Sequence, residues 1–394
     1  MDGYRTLFAL VLAAGVGLAP VSSATADPVP GWQVSLRGGA GSFVDDLAAT
    51  GPADAWAVGA RRTGTLDPRN GSYFTAPLIE HWDGRRWATA ANPAGPTGFP
   101  LREVTLVEAS SPVNVWAVGT AVAPGTGDVS AATRSVLSRW DGSRWRLMGS
   151  GRTSITDLEV LDATHTWILG RDDRTGKGFF KRFRSGRWTS LPFPATLKGI
   201  SVRSPGDIWG FGPSSVMRWN GLAWSRVRLP VTAVPAAPTP AYGPVKLRLD
   251  ALVTSGTKDV WVAAGFQQGD WSQPGAVLLH WHTGSRDGAK WHQIRLPGDV
   301  ITDLAPDGRG GVLAASYRQS ITATPDGQDP YAYTTLSVDS LRHTGRKLTR
   351  QTVTPVSSGF EWSDLVAIPG TGSALAAGFN RRPPQGHVVF RHDG

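Results

Sequence analysis

Apolar residues occur along this chain in short runs that are separated by Gly, Asp, Asn, Ser and Pro. The runs are rich in Trp, Val, Ile and Leu, which favour strands, and the intervening residues favour turns. Beyond the first twenty residues, no window has the apolar spacing of three and four that marks an amphipathic helix. The pattern therefore predicts an all-β protein built from many short strands.

One sequence pattern returns seven times and divides the chain into units. In its clearest copy, residues 55–59 read Ala-Trp-Ala-Val-Gly, and they are followed by His-Trp-Asp-Gly at 81–84 and by Trp87. The first landmark of the seven units falls at Trp56, Trp116, Trp167, Trp209, Trp261, Leu313 and Leu375. Repeats of this length indicate a solenoid, a propeller or a related repeat architecture.

Each unit predicts four strands: a short apolar run, the landmark strand, the His-Trp-Asp-Gly strand and a strand that carries the last Trp. Four-stranded units around an axis form a β-propeller, and seven units predict seven blades. Six blades is the alternative, because the last two units have lost their Trp. The last unit lacks its fourth strand, and the segment around Trp32 has the matching sequence. We therefore expect that segment to complete the last blade and close the ring.

Repeats of the form Val-Trp-Ala-Val-Gly followed by His-Trp-Asp-Gly-x-x-Trp resemble those of secreted actinobacterial β-propeller repeat proteins. The resemblance covers nearly all of the chain after residue 26. It implies a propeller fold, with a lectin-like role as one expectation. It does not imply an activity, because propellers host lectins, scaffolds and unrelated enzymes.

The first 26 residues predict a secretory signal peptide. Arg5 precedes an apolar run from Leu7 to Leu18, and residues 24–26 read Ala-Thr-Ala, which fits a cleavage site. The apolar run is short for a membrane span. We therefore expect a secreted, extracellular monomer whose propeller domain covers residues 27–394. With no Cys in the chain, its stability must come from its core rather than from disulfides.

The 17 Trp residues predict packing between blades, since a Trp that recurs in the same position of several units is explained by that packing. His81 and His280 take a position that carries Arg139 or Arg218 in other units, so the same interpretation applies to them. His280 and His282 alternate on one strand and could share a metal ion, but no third ligand is evident. The sequence thus predicts neither a metal nor a cofactor.

Acidic residues of the first strand are the candidates for chemistry. They take the same aligned position in five units, at Asp46, Glu103, Asp157, Asp303 and Asp364. Facing the central channel, they could bind a cation or supply the acid and base of a glycoside hydrolase. The competing interpretation is that each acid accepts hydrogen bonds from the backbone of a neighbouring blade or pairs with an Arg, because a buried carboxylate must be satisfied. Since no Gly-x-Ser-x-Gly, His-Glu-x-x-His or phosphate-loop motif is present, the sequence favours a protein without catalytic residues.

The connections between strands predict one elaborated face, because the links from second to third strands, among them the loop expected at 266–276, and the links between units are the long ones. One Trp outside the repeat positions and every Tyr after the signal peptide fall in these links: Trp271, Tyr73, Tyr242, Tyr317, Tyr331 and Tyr333. Trp271 stands beside Gln268 and Asp270, and an aromatic ring flanked by hydrogen-bonding groups suits a sugar. The predicted ligand site consists of Trp271, Gln268, Asp270, Tyr73, Tyr242, Tyr331 and Tyr333.

The net charge of +9 would draw the protein to anionic polymers, although it is scattered and forms no dense basic run that would mark a nucleic-acid surface. We therefore expect a secreted, non-catalytic protein that binds a glycan or an anionic cell-wall polymer. Two alternatives remain open. One is a scaffold or target-recognition component that holds another exported protein, in an assembly that could be antibacterial, and the other is a polysaccharide hydrolase or lyase that uses the channel acids.

Overall fold

The computed structural model describes residues 31–393 except 67–72, 124–132, 195, 231–242, 270, 284–289, 309, 323–331, 344–346, 354–359 and 381–385. Within these residues, 28 strands form seven antiparallel sheets of four strands each, and there is no helix. The first strand of each sheet contacts the first strands of the two neighbouring sheets, so the sheets form a ring. The protein is therefore a seven-bladed β-propeller, which confirms the predicted fold, and the six-bladed alternative is wrong.

The first four blades follow the chain in order, from the innermost strand outward. Blade 1 consists of β2 (Ser42–Gly51), β3 (Asp54–Leu66), β4 (Tyr73–Trp82) and β5 (Trp87–Thr89). Blade 2 consists of β6 (Leu101–Ser111), β7 (Asn114–Val122), β8 (Thr133–Trp140) and β9 (Trp145–Gly151). Blade 3 consists of β10 (Thr153–Asp162), β11 (His165–Asp172), β12 (Gly178–Arg184) and β13 (Arg187–Leu191). Blade 4 consists of β14 (Gly199–Ser204), β15 (Asp207–Phe211), β16 (Val216–Trp219) and β17 (Trp224–Val227).

The remaining three blades complete the ring. Blade 5 consists of β18 (Lys246–Ser255), β19 (Asp259–Gln268), β20 (Trp271–His282) and β21 (Lys290–Leu296). Blade 6 consists of β22 (Asp299–Pro306), β23 (Val312–Thr322), β24 (Ala332–His343) and β25 (Leu348–Thr352). Blade 7 consists of β26 (Phe360–Ala367), β27 (Ala374–Asn380), β28 (Gly386–His392) and β1 (Trp32–Arg37).

Blade 7 is built from both ends of the described chain. Its outer strand β1 pairs antiparallel with β28, with Trp32 opposite His392 and Arg37 opposite Val388. The Trp32 side chain is buried, and its ring lies 6.4 Å from the ring of Trp362. The prediction that the segment around Trp32 closes the ring is confirmed.

Aromatic side chains fill the spaces between blades. Trp116, Trp167, Trp209 and Trp261, all from second strands, are among the largest fully buried side chains. Trp56 of blade 1 lies with its ring 5.8 Å from both Trp140 and Trp145 of blade 2. Packing between blades, as predicted, accounts for the repeated Trp.

A cationic or imidazole side chain covers these Trp rings from the third strand. His81 lies with its ring 4.3 Å from that of Trp56, and its Nε2 is 2.7 Å from Oδ1 of Asp54. Arg218 takes the same place in blade 4, with its guanidinium carbon 5.3 Å from the Trp209 ring centre. The structural interpretation of this repeated position is thus confirmed.

The two faces of the ring differ. On the plain face, which carries the turns from first to second and from third to fourth strands, the connections are mostly short. In the turn after β4, Asp83 Oδ1 accepts hydrogen bonds from the backbone N–H groups of Arg85 (2.8 Å) and Arg86 (2.9 Å). Gly84 there has a φ of 92°, which favours glycine.

The opposite, elaborated face carries the links from second to third strands and between blades. The hairpin of β3 and β4 continues past the end of β2, since Leu66 pairs with Tyr73 while β2 begins opposite Arg61. The longest link between blades runs from Val227 to Lys246. This face bears the features expected of a binding surface on a rigid scaffold.

Candidate functional sites

Trp271 does not lie in a long loop. It begins β20 and pairs with Gln268 across a tight turn that contains Gly269, whose φ is 57°. The predicted loop 266–276 is therefore mostly strand. Gln268 is fully buried, and its Nε2 donates a hydrogen bond of 2.7 Å to the Gly243 carbonyl oxygen. This contact makes Gln268 an anchor for the segment that precedes β18.

The predicted tyrosines are spread over the ring. Tyr73 is 46% exposed at the start of β4 in blade 1, beneath the Arg62 guanidinium at 5.2 Å. Tyr333 lies in β24 of blade 6. Tyr317 belongs to β23 and is buried, and its hydroxyl oxygen accepts a hydrogen bond from the backbone N–H of Trp362, so its assignment to a loop is wrong.

Three further predicted residues, Tyr242, Asp270 and Tyr331, lie outside the described residues. Blades 1 and 5 are not neighbours, so Tyr73 and Trp271 do not share one site. The individual assignments stay predictions.

A groove of about 200 Å³ opens between blades 2 and 3, toward the elaborated face. Its apolar lining consists of Leu137, Met148, Ile155, Ile168, Phe179 and Trp188, and its polar lining includes Ser135, Ser150, Thr153 and Lys181. Gly149 and Gly151 form part of the wall, and a Cβ atom at Gly149 would meet no atom within 4 Å. The groove therefore combines an aromatic wall with hydroxyl and ammonium groups.

Trp188 differs from its counterparts in other blades. The indole N–H groups of Trp145, Trp224 and Trp291 donate to carbonyl oxygens at 2.8, 3.0 and 3.0 Å. These acceptors are Ala91, Pro192 and Arg228, each four residues after the corresponding Trp of the preceding blade.

By the same count, the acceptor for Trp188 would be the carbonyl oxygen of Gly149. The pairing of β8 with β9 shifts at this place, since Leu137 pairs with Gly149 but Ser138 pairs with Leu147, which leaves Met148 as the extra residue of a bulge. The Trp188 indole N–H has no hydrogen-bond partner among the described residues. The groove thus lies where the repeated contact between blades is missing.

The central channel contains a second cluster of polar groups, in a space of about 600 Å³. Four of the predicted acids lie there, and each accepts a hydrogen bond from a backbone N–H of the next blade. The four contacts are Asp46 with Val107 (2.6 Å), Asp157 with Ile200 (2.5 Å), Asp303 with Leu365 (2.9 Å) and Asp364 with Leu47 (2.8 Å). These bonds agree with the structural interpretation of the acids.

Glu103 does not take part in this series. In blade 1, Asp46 pairs with Val58, and the residue that pairs with the equivalent Val118 in blade 2 is Leu106. Glu103 lies three residues earlier, beside Asp45, whose pKa is raised to about 6 by burial and by the charge of Glu103. The sequence alignment placed the first-strand run of blade 2 three residues too early, since the run that matches residues 44–47 in the sheet register is 104–107, and this run carries Leu106 in place of the acid.

Two acids that sequence reasoning missed also line the channel. Glu108 and Glu159 stand opposite Trp116 and Trp167 in the sheet register. Burial raises the pKa of both carboxyls, with a further rise from the charge of Glu159 on Glu108 and of Asp157 on Glu159. The channel is open to water, but its walls leave these groups poorly hydrated, which favours their neutral forms.

Burial also raises the pKa of Asp157, to about 7, despite its two backbone hydrogen bonds. The pKa values of Asp46, Asp303 and Asp364 are raised by burial first and by neighbouring carboxylates second. Six carboxyl groups thus share one channel, where burial and their mutual repulsion favour the protonated forms.

Comparison with known proteins supports the β-propeller fold but assigns the chain to no family. No protein-family model and no curated protein sequence matches the chain. Among solved structures, the β-propeller domain of the Trilobed protease from Pyrococcus furiosus is similar over 92% of this chain and 95% of its own, at 10% identity and a TM-score of 0.52. That domain is described as having an open velcro topology, whereas β1 completes the last sheet here. The likeness concerns the propeller fold alone.

The SapL1 lectin, solved in complex with alpha methyl fucoside, is similar over 80% of this chain and 98% of its own, at 12% identity and a TM-score of 0.41. Among the described residues, no helix is long and apolar enough to cross a membrane.

Proposed function

We propose that the protein is an exported carbohydrate-binding propeller and that the groove between blades 2 and 3 holds one sugar unit of its ligand. The observation that carries the proposal is Trp188, whose ring lines this groove while its indole N–H lacks the acceptor that its counterparts have. Export rests on the predicted signal peptide of residues 1–26, which lies outside the described residues.

The chemistry of the groove suits a sugar. A sugar ring presents apolar C–H groups to an aromatic face and hydroxyl groups at its edge. Trp188 and Phe179 supply aromatic surface, and Ser150 and Thr153 supply hydroxyl groups. The Lys181 ammonium, which lies 5.0 Å from the Phe179 ring centre, favours a ligand with an anionic substituent.

The aspartates of the channel have a structural role that needs no ligand. The four aspartates accept backbone hydrogen bonds between blades, and that use explains why they recur. A polysaccharide hydrolase or lyase remains the second candidate because Glu108 and Glu159 are a pair of carboxyls with raised pKa values in an open channel.

The test of the proposal is a glycan and cell-wall polymer array at physiological salt, followed by calorimetric titration of the best ligand. Trp188→Ala should abolish selective binding, and Gly149→Leu should weaken it by placing a side chain in open space at the groove. Trp224→Ala is the matched control, because Trp224 has the same position in blade 4 but donates to Pro192. Folding of each variant is checked by circular dichroism.

If Trp271→Ala loses glycan binding and Trp188→Ala keeps it, the groove is not the binding site, and the β19–β20 hairpin that begins at Trp271 becomes the candidate. An array without selective binding would overturn the glycan proposal, and a stoichiometric protein partner in native purification would then support the scaffold. Turnover of a polysaccharide that is lost in Glu159→Gln would establish the hydrolase or lyase instead.

A further inference from the structure

Three metal-ligating side chains come together on the plain face of blade 5. Nε2 of His280 and Nδ1 of His282 each lie 2.7 Å from Oδ1 of Asp259, and all three ligand atoms lie within 4.8 Å of one another. Asp259 begins β19, and the two histidines end β20, so the hairpin register places Asp259 opposite His282. Asp259 is the third ligand that was not evident from the spacing of the histidines.

Part of this arrangement belongs to the repeat. Asp259, His280 and Trp261 reproduce the Asp54, His81 and Trp56 arrangement of blade 1, where the imidazole covers a Trp and contacts an acid. That packing explains Asp259 and His280 without a metal. It does not explain a second histidine.

His282 is the residue that sets blade 5 apart. The equivalent positions of blades 1, 2 and 4 carry Asp83, Asp141 and Asn220, whose side-chain oxygens accept backbone N–H groups of the following turn. An imidazole replaces that turn-capping group in blade 5, and its Nδ1 faces Asp259 instead. The substitution therefore removes a useful local contact and adds a metal ligand.

The ligands are held by their surroundings. The His280 ring stacks on Trp261, with ring centres 3.9 Å apart and planes inclined by 2°. The Asp259 backbone carbonyl oxygen accepts a hydrogen bond of 2.7 Å from Arg203, which fixes the start of β19. The His282 side chain is 40% exposed, so water or an exogenous ligand can reach the cluster.

We propose that Asp259, His280 and His282 form a binding site for a divalent transition-metal ion of the zinc type. Two imidazoles and one carboxylate suit Zn²⁺, Ni²⁺ or Cu²⁺, whereas Ca²⁺ and Mg²⁺ prefer oxygen ligands. In a tetrahedral zinc site with bond lengths of about 2.0–2.2 Å the ligand atoms lie about 3.3–3.6 Å apart, so the two histidine nitrogens must move away from the Asp259 oxygen by less than about 1 Å. A solvent molecule would complete the coordination on the exposed side.

The experiment uses untagged, metal-stripped protein titrated with Zn²⁺ in a calorimeter and with Co²⁺ by visible absorption. One equivalent should bind, and Co²⁺ should produce the absorption bands of a low-coordinate site. His282→Asn, which removes the imidazole without supplying a carboxylate, should lower the Zn²⁺ affinity by at least about tenfold, the smallest loss typical of removing even an outer-shell partner of a metal. Asn is the residue that blade 4 has in this position, at Asn220, so this variant should fold.

His81→Gln is the matched control, because the blade 1 arrangement has no second histidine and its loss should leave Zn²⁺ affinity unchanged. Zn²⁺ should also raise the Tm of the parent protein but not that of His282→Asn. Absence of saturable binding, or equal affinity in the parent and His282→Asn, would overturn the proposal. The glycan measurements above concern the opposite face, so the two proposals can fail separately.

Discussion

Asp364 in the innermost strand of blade 7 accepts a 2.8 Å hydrogen bond from the backbone N–H of Leu47 in blade 1. The same contact joins blade 6 to blade 7, where Leu365 donates to Asp303. A repeated bond that links successive blades thus also crosses the point at which the ring closes. The ring is therefore closed in two places, by the inner strands beside the channel and by the outer strand β1 at the rim.

Closure at the rim depends on Trp32. We expect Trp32→Ala to lower the free energy of unfolding by about 3–5 kcal/mol, because it removes a buried indole and leaves a cavity beside Trp362. Urea denaturation followed by Trp fluorescence measures the loss. The control is Leu222→Ala, at a position 83% exposed, where a change of less than about 0.5 kcal/mol is expected. Equal stability of the two variants would show that β1 contributes little.

Arg350 neutralises two buried carboxylates in blade 6. Its Nη2 lies 2.6 Å from Oδ2 of Asp299, its Nη1 bonds Asp339, and both aspartates are almost fully buried. Arg350→Ala should destabilise the protein by about 3–5 kcal/mol, because it leaves two buried carboxylates without a positive partner. Arg350→Lys should recover only part of this loss because an ammonium cannot bond both aspartates in the same forked geometry. Chemical denaturation at pH 7 compares the variants, and wild-type stability in Arg350→Ala would contradict the prediction.

Glu159 should make stability depend on pH. Burial and Asp157 raise its pKa in the folded state, so the folded protein retains a proton that the unfolded chain has already released. The stability that this group contributes is present at acid pH and is lost as the pH rises from the ordinary carboxyl pKa toward the raised value.

Glu159→Gln should therefore raise the Tm by about 2–4 °C at pH 7.5, with a smaller difference at pH 4.5. Calorimetric scans across this range measure it, and Glu361→Gln, outside the channel lining, serves as the control. A difference that is constant with pH would show that the carboxyl is not held protonated by the fold.

His387 should respond to pH with the opposite sign. Burial lowers its pKa to about 4, and its Nδ1 lies 2.9 Å from the Ser42 Oγ at the junction of blades 7 and 1. Its contribution to stability is present above the ordinary imidazole pKa and is lost as the pH falls toward 4. An NMR titration should give a midpoint near 4 for this imidazole, and an ordinary midpoint would show that water reaches it freely.

Repeated features were predictable from the sequence, and departures from the repeat were not. The match between the Trp32 segment and later fourth strands indicated closure, because equivalent strands need equivalent residues. Glu103 was assigned to the channel because residues 101–104 carry an acid at the same place as residues 44–47, although the sheet register matches that run to 104–107. Trp188 likewise looked like any other fourth-strand Trp, although a bulge at Met148 removes its acceptor.

The Asp259 cluster shows that some of this information was accessible. Counting outward from the turn at Gly269 would have placed Asp259 opposite His280, two residues from its actual partner His282, because β20 carries two additional residues between the partners of Gly265 and Phe266. The expected long loop at 266–276 hid that register. By contrast, the raised pKa of Glu108 depends, besides burial, on acids of blades 3 and 7, which no single strand pattern brings together.

The pairing of Trp32 with His392 also bears on the order of events during folding. Almost the whole described chain separates these two residues, so bringing them together costs more chain entropy than any contact within a blade. Hairpins within each blade can form locally, whereas the seam between β1 and β28 must wait until the intervening blades have bent the chain into an arc. Under partial unfolding, that seam is where the ring should first come open and expose two strand edges.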